Sequence, residues 1–240
     1  MTKRIDELVQ SICGTTDHPL APLLRQWCSE SRPFVAFTET HATKIHKKAR
    51  LALRDDELTD LSAELAVAAL LVQDRRFTVQ YEPYRATGKR GPDFQGLFRT
   101  HFVFHVEVTR LRLLDLAGTD LAGAALKLAR VVSDKISQFP SGGMNLLVAV
   151  IPPDAASDAL APTALRLLDS SSQPEVHQPS PELSPEGART YLRHRQRLSA
   201  IALCSFTPAW RPLIVKLWLN PQAKHPLHPE IAKYLVQTSE

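Results

Sequence analysis

Residues 92–109 read PDFQGLFRTHFVFHVEVT, and most of the architecture follows from them. Asp93 to Phe98 has the composition of a strand, and His101 to Leu111 reads as the next, through Phe102, Phe104 and Val106. Aromatic and β-branched residues favour a pleated, half-buried surface. Arg99-Thr100 between the two runs predicts a hairpin. In a hairpin of this length Asp93 and Glu107 fall side by side on adjacent strands. Two carboxylates so placed repel each other unless a cation lies between them. Hard divalent cations such as Mg²⁺ take one or two carboxylates together with water and phosphate oxygens. Glu107 also interrupts an apolar run, where an exposed strand face or an ion pair is the plainer account.

Upstream, Phe77 to Tyr84 alternates Phe77, Val79 and Tyr81 with Thr78, Gln80 and Glu82 and predicts a further strand. Gly88-Lys89-Arg90-Gly91-Pro92 is a turn-rich connector. Before these, Leu58 to Val72 is rich in Ala and Leu and predicts a buried helix carrying Glu64. Downstream, Leu121 to Phe139 predicts a long helix, ended by Pro140 and Gly142-Gly143. Asn145 to Ile151 is a continuous apolar run, as in a strand covered on both faces. The order helix, three strands, helix, strand implies a meander followed by a helical crossover. That is an α/β fold, a mixed central sheet flanked by helices.

The rest of the chain extends this centre. Residues 1–56 predict a helical N-terminal region, with helix-spaced apolar residues over Asp6 to Val9 and Leu20 to Trp27. Pro33 suits the first turn of a helix running to about Leu53. Residues 57–151 form the core. Residues 152–240 form a C-terminal extension that adds helices and two strands. Its parts are a short helix over Ala159 to Leu168, a loop or insertion over Ser170 to Pro185, and a basic helix over Pro185 to Arg197. Strands at Ser199 to Phe206 and Leu213 to Leu219 and a last helix from His228 to Val236 complete it. No internal repeat is visible.

These residues resemble the PD-(D/E)XK phosphodiesterase superfamily, which includes many restriction and repair nucleases. The resemblance rests on Glu64 in a helix, Pro92-Asp93, Glu107-Val108-Thr109 and the helix carrying Lys135-Ile136-Ser137-Gln138. It covers Glu57 to Ile151, and Asn220-Pro221-Gln222-Ala223 is similar to a closing segment of one bacterial branch. It implies a restriction-endonuclease-like core in which Asp93 and Glu107 bind Mg²⁺ or Mn²⁺ and Glu64 supports the site directly or through water. The family places a lysine where this chain has Thr109, and threonine cannot supply the charge. Some members carry that lysine on the following helix. Lys135 is the first candidate here and Lys127 the second. Arg110 points to the opposite strand face from Thr109.

Composition sets the outer bounds. Of 240 residues 44% are hydrophobic and 22% charged, ordinary for a globular protein. No apolar run approaches the roughly 20 residues of a membrane span. Met1 to Ile12 shows no apolar signal core, and a cytoplasmic location is expected. Three cysteines stand far apart, against a disulfide framework or structural zinc. His225 and His228 read as surface histidines in a proline-rich loop. The net charge of +4 with a pI near 9.0 permits a nucleic-acid partner, DNA first, and a homodimer is open. The basic groups Lys44, His46, Lys47, Lys48 and Arg50, and Arg189, Arg193, Arg195 and Arg197, read either as solvated helix faces or as phosphate contacts. Lys89, Arg90, Arg189, Arg193 and Arg197 are the candidate nucleic-acid contacts. No platform of interleaved aromatics supports single-strand specificity. Two functions follow: a metal-dependent nuclease using Asp93, Glu107, Glu64 and Lys135 around Thr109, or a catalytically inactive relative that binds nucleic acid or protein.

Overall fold

A computed structural model describes residues 2–84, 88, 90–113, 120–171 and 183–237. The helical start comprises α1 (Thr2–Cys13), α2 (Ala21–Glu30) and α3 (Arg32–Leu51). Ser31 caps α3 by accepting from the Phe34 amide at 3.2 Å, with proline in the first turn. Helix α4 (Asp55–Gln73) begins on Asp55, Asp56 and Glu57, whose charges complement the positive end of the helix dipole. From Leu61 to Val72 it is buried at every position but Glu64.

Strands β1 (Phe77–Tyr81), β2 (Phe94–Phe98) and β3 (Phe102–Arg110) form an antiparallel meander. The β2–β3 turn puts Arg99 and Thr100 at φ 50° and 68°, the left-handed pair that lets a short loop follow the twist of its strands. Gly96 lets β2 lie close to its neighbours: a Cβ there would come within 2.3 Å of the Phe104 ring and 2.7 Å of the Thr78 carbonyl.

Helix α5 (Leu121–Lys135), continued by a 3₁₀ turn over Ile136–Gln138, returns the chain to β4 (Met144–Val150), parallel to β3. Helices α6 (Leu160–Ser171) and α7 (Pro185–His194) lead to β5 (Ala200–Phe206), parallel to β4. Strand β6 (Pro212–Leu219) pairs antiparallel with β5, and α8 (Pro229–Gln237) follows. The strand order is β1-β2-β3-β4-β5-β6, a mixed six-stranded sheet with helices on both faces.

Alternation along the strands sorts side chains between two cores. Phe104, Val106 and Val108 join Leu146 and Val148 in a cluster with Leu24, Phe34, Ile45 and Leu65 of the first four helices and Ile231 of α8. Leu147, Ala149, Ile201 and Leu203 meet Ala125, Leu128, Leu165 and Tyr191 of α5, α6 and α7. Every residue of β4 is buried, as its unbroken apolar run requires. The edge strand β1 is covered by α3. The Tyr81 amide donates to His41 Nε2 at 3.4 Å, and Lys44 Nζ donates to the carbonyls of Tyr81 and Glu82 at 2.6 and 3.1 Å. Among the described residues no helix is long and apolar enough to cross a membrane.

Candidate functional site

The β2–β3 ladder ends at the pair Phe94–Val106. Asp93, one residue before β2, sits where the strands part. Its side chain takes over the missing backbone partner: Oδ2 accepts the Val108 N–H at 2.9 Å, and its carbonyl accepts the Glu82 N–H at 2.7 Å. Glu107 belongs to β3, between Val106 and Val108, which both point into the first core. Its own side chain therefore projects toward α5, where the Lys135 ammonium, on the last turn of that helix, donates to Oε1.

Glu64 approaches from α4. Its Oε2 accepts from Tyr81 Oη at 2.7 Å and from Lys48 Nζ, on α3, also at 2.7 Å. Lys48 reaches Glu82 Oε1 as well, at 3.1 Å. Four carboxylates and two ammonium groups thus converge from α3, α4, the segments flanking β1 and β2, β3 and α5. Glu107 exposes 5% of its side chain, Glu82 12% and Glu64 14%. These charges have little water to screen them.

The consequences are electrostatic. Burial, then the charges of Glu64 and Glu107, push the Asp93 carboxyl well above its ordinary range; Lys48 and the Val108 amide only partly offset this. Burial raises Glu107 too, against the pull of Lys135. Burial opposes the charge on Lys48, but Glu64, Asp93 and Glu82 outweigh it and hold that ammonium protonated. Lys135 is held protonated in the same way, chiefly by Glu107 against the effect of burial.

A cavity of about 340 Å³ opens beside the cluster, with Glu64, Asp93, Glu107, Thr109 and Lys135 in its wall. Its rim carries Arg110 and Arg112, which are anchored to α4. Arg110 pairs with Asp60 at 2.6 Å and Asp56 at 2.9 Å, and Arg112 with Asp60 at 3.1 Å. A second cavity, of about 250 Å³, shares Asp93, Glu107 and Lys135 and is bordered by Arg90 and Gln138. The acidic pair stands between two open spaces.

The expected residues are therefore distributed unevenly. Asp93, Glu107, Glu64, Thr109 and Lys135 come together. Lys127 does not join them; it donates to the Arg112 carbonyl. Arg90 borders the second cavity, and Lys89 lies outside the described residues. Arg189 and Arg193 are exposed on α7, whereas Arg197 is half-buried and donates to the Phe139 carbonyl at 3.1 Å. His228 packs on Phe98 and Phe102 and accepts the Glu230 amide at 3.2 Å, a structural part. The sequence reading missed Lys48, Glu82 and Tyr81. Lys48 was hidden in a run of basic residues, but Lys44 and Lys48, four apart, share one helical face and both turn inward.

Among the described residues no three His, Cys, Asp or Glu side chains stand as a ready set of metal ligands. The donor set still fits a hard divalent cation. It offers carboxylate oxygen only, from Asp93 and Glu107, and such ions are commonly held by one or two carboxylates with water. Charge is consistent with the fit: four carboxylates face two ammonium groups. Comparison of the chain with protein-family models, curated proteins and solved structures found no match.

Proposed function

We propose that the chain is a divalent-metal-dependent phosphodiesterase that cuts DNA, a PD-(D/E)XK-like nuclease whose lysine has moved from the strand to the following helix. The observation that carries this reading is the convergence of Asp93, Glu107 and Glu64 on the wall of one open cavity. Asp93 is half-buried there beside Glu64 and the buried Glu107, with Lys135 reaching Glu107 from α5. A buried carboxylate left short of cations is costly and adds nothing to packing.

Asp93 and Glu107 would hold Mg²⁺ or Mn²⁺. Such an ion lowers the pKa of bound water and offsets negative charge at phosphorus. Asp93 is fixed for this by the Val108 amide, and Glu64 backs it through its own charge. Lys135, protonated at neutral pH, acts as a positive group and not as a base: it orients the attacking water and balances charge on the phosphoryl oxygens. Water gives up a proton as its oxygen bonds to phosphorus, the ester P–O bond breaks, and the departing oxygen takes up a proton. Thr109 lines the cavity without charge. The exposed arginines of α7 and Arg90 are the proposed phosphate contacts.

A second reading keeps the fold as an inactive binding module. It is favoured by the ion pairs themselves, since Lys48 and Lys135 already satisfy oxygens of Glu64 and Glu107. Plasmid and linear duplex cleavage with Mg²⁺ and Mn²⁺ separates the two. Wild type should nick or cut DNA, chelator should stop it, and Asp93→Ala should lose it. An inert wild type under both metals leaves the inactive module standing.

A further inference from the structure

We propose that Lys48 is a positioning residue of this site: its ammonium holds Glu64 and Glu82 in the place a second cation would take, so the site accepts one divalent cation instead of two. The proposal rests on the reading of Asp93 and Glu107 given above.

Lys48 bridges two carboxylates that belong to different elements, at 2.7 Å to Glu64 and 3.1 Å to Glu82. The helix that carries it is not free to move. Ile45 and Ala49 on either side are buried, and Lys44, one turn earlier, is tied to the Tyr81 and Glu82 carbonyls. The ammonium also lies 5.1 Å from the centre of the Tyr81 ring, whose hydroxyl donates to the same Glu64 oxygen. Lysine stem, ring face and hydroxyl thus fix one geometry for Glu64. An ammonium and a divalent cation compete for the same oxygens, and a tethered ammonium cannot dissociate. It supplies one positive charge where a free ion supplies two, and it repels a second ion at that spot. Glu64 then faces the cavity bonded through Oε2 to Lys48 and Tyr81, and a mobile cation would draw on Asp93 and on Glu107, the latter shared with Lys135.

The test is the number of Mn²⁺ ions bound by metal-free protein, read by calorimetric titration and by loss of the free-Mn²⁺ spin-resonance signal. Wild type should take one ion per chain, Lys48→Ala two, and Lys48→Arg one. A purely structural salt bridge would leave the count unchanged on substitution, and an equal count in wild type and Lys48→Ala overturns the proposal. If wild type takes none while Lys48→Ala gains one, Lys48 is the stand-in cation proposed here and the metal reading of Asp93 and Glu107 fails instead. Should Lys48→Ala not fold, adding Glu64→Gln and Glu82→Gln removes the two charges it balances and should restore folding. No restoration would refute the counter-ion role.

Discussion

Asp93 holds its proton more tightly than a free carboxyl does, and that makes it visible in stability as well as in activity. Its carboxyl is raised by burial and by Glu64 and Glu107, so the folded chain binds that proton more tightly than the unfolded chain. For such a group, stability is fullest below the ordinary carboxyl value of about 4 and falls as pH rises toward the folded value, by at most about 1.4 kcal/mol per pH unit. Glu107 contributes in the same direction. Urea unfolding of metal-free protein should show this slope, and Asp93→Asn should reduce it and be more stable than wild type at pH 7. An Asn variant that is weaker at pH 7 would mean the carboxylate is a net stabiliser. Lys135 gives the kinetic counterpart. Removing one preorganised charge typically costs on the order of 100-fold or more in rate. Lys135→Ala should lose about that much in cleavage with DNA affinity nearly unchanged, and Thr109→Lys should recover part of it. Full activity in Lys135→Ala would end the migrated-lysine assignment. Glu107 was readable because it interrupts an apolar run, Asp93 because it opens the strand opposite Glu107, and Glu64 through the family resemblance. Lys48 and Glu82 were not, because their partners lie far away in sequence and only folding joins them.

The hairpin from Asp93 to Arg110 was legible almost to the residue, since side chains alternate with a period of two. The difference lies at its mouth. Asp93 stands one residue outside β2 and uses its side chain on Val108, a departure no strand pattern announces. The basic helices divide in the same way. Side chains of α3 that read as a surface charge run are partly inward: Lys44 closes the sheet edge and Lys48 enters the site. On α7 Arg189 and Arg193 keep an outward face, while Arg197, in the 3₁₀ turn after that helix, donates to the Phe139 carbonyl. If α7 contacts phosphates, duplex-DNA affinity should fall steeply with salt, and Arg189→Ala with Arg193→Ala should reduce the slope of log K against log salt by about 2. Arg197→Ala should act on folding more than on that slope. An unchanged slope in the double variant returns α7 to a solvated face.

The mixed sheet and its helical crossover were expected from element order alone, because a β-strand, helix, parallel strand unit has few ways to close. Less could be read of the N-terminal helices. Their apolar stripes predict burial but not against what. In the structure Ile5, Phe34 and Ile45 share one core with Phe77, Val106 and Ile231, so α1 to α4, the sheet and α8 enclose a common interior. That packing delivers Lys48 to Glu64 of α4 and to Glu82 just after β1, and it ties the shape of the site to the packing of these elements. On the proposed function, a divalent cation binds between Asp93 and Glu107. A crystal soaked in Mn²⁺ and measured at the manganese absorption edge tests it most directly. One anomalous peak is expected within about 2.0–2.4 Å of oxygens from both carboxylates, with Lys48 still on Glu64 and Glu82. A soaked crystal with no peak there, and with Lys135 still closed on Glu107, would contradict it.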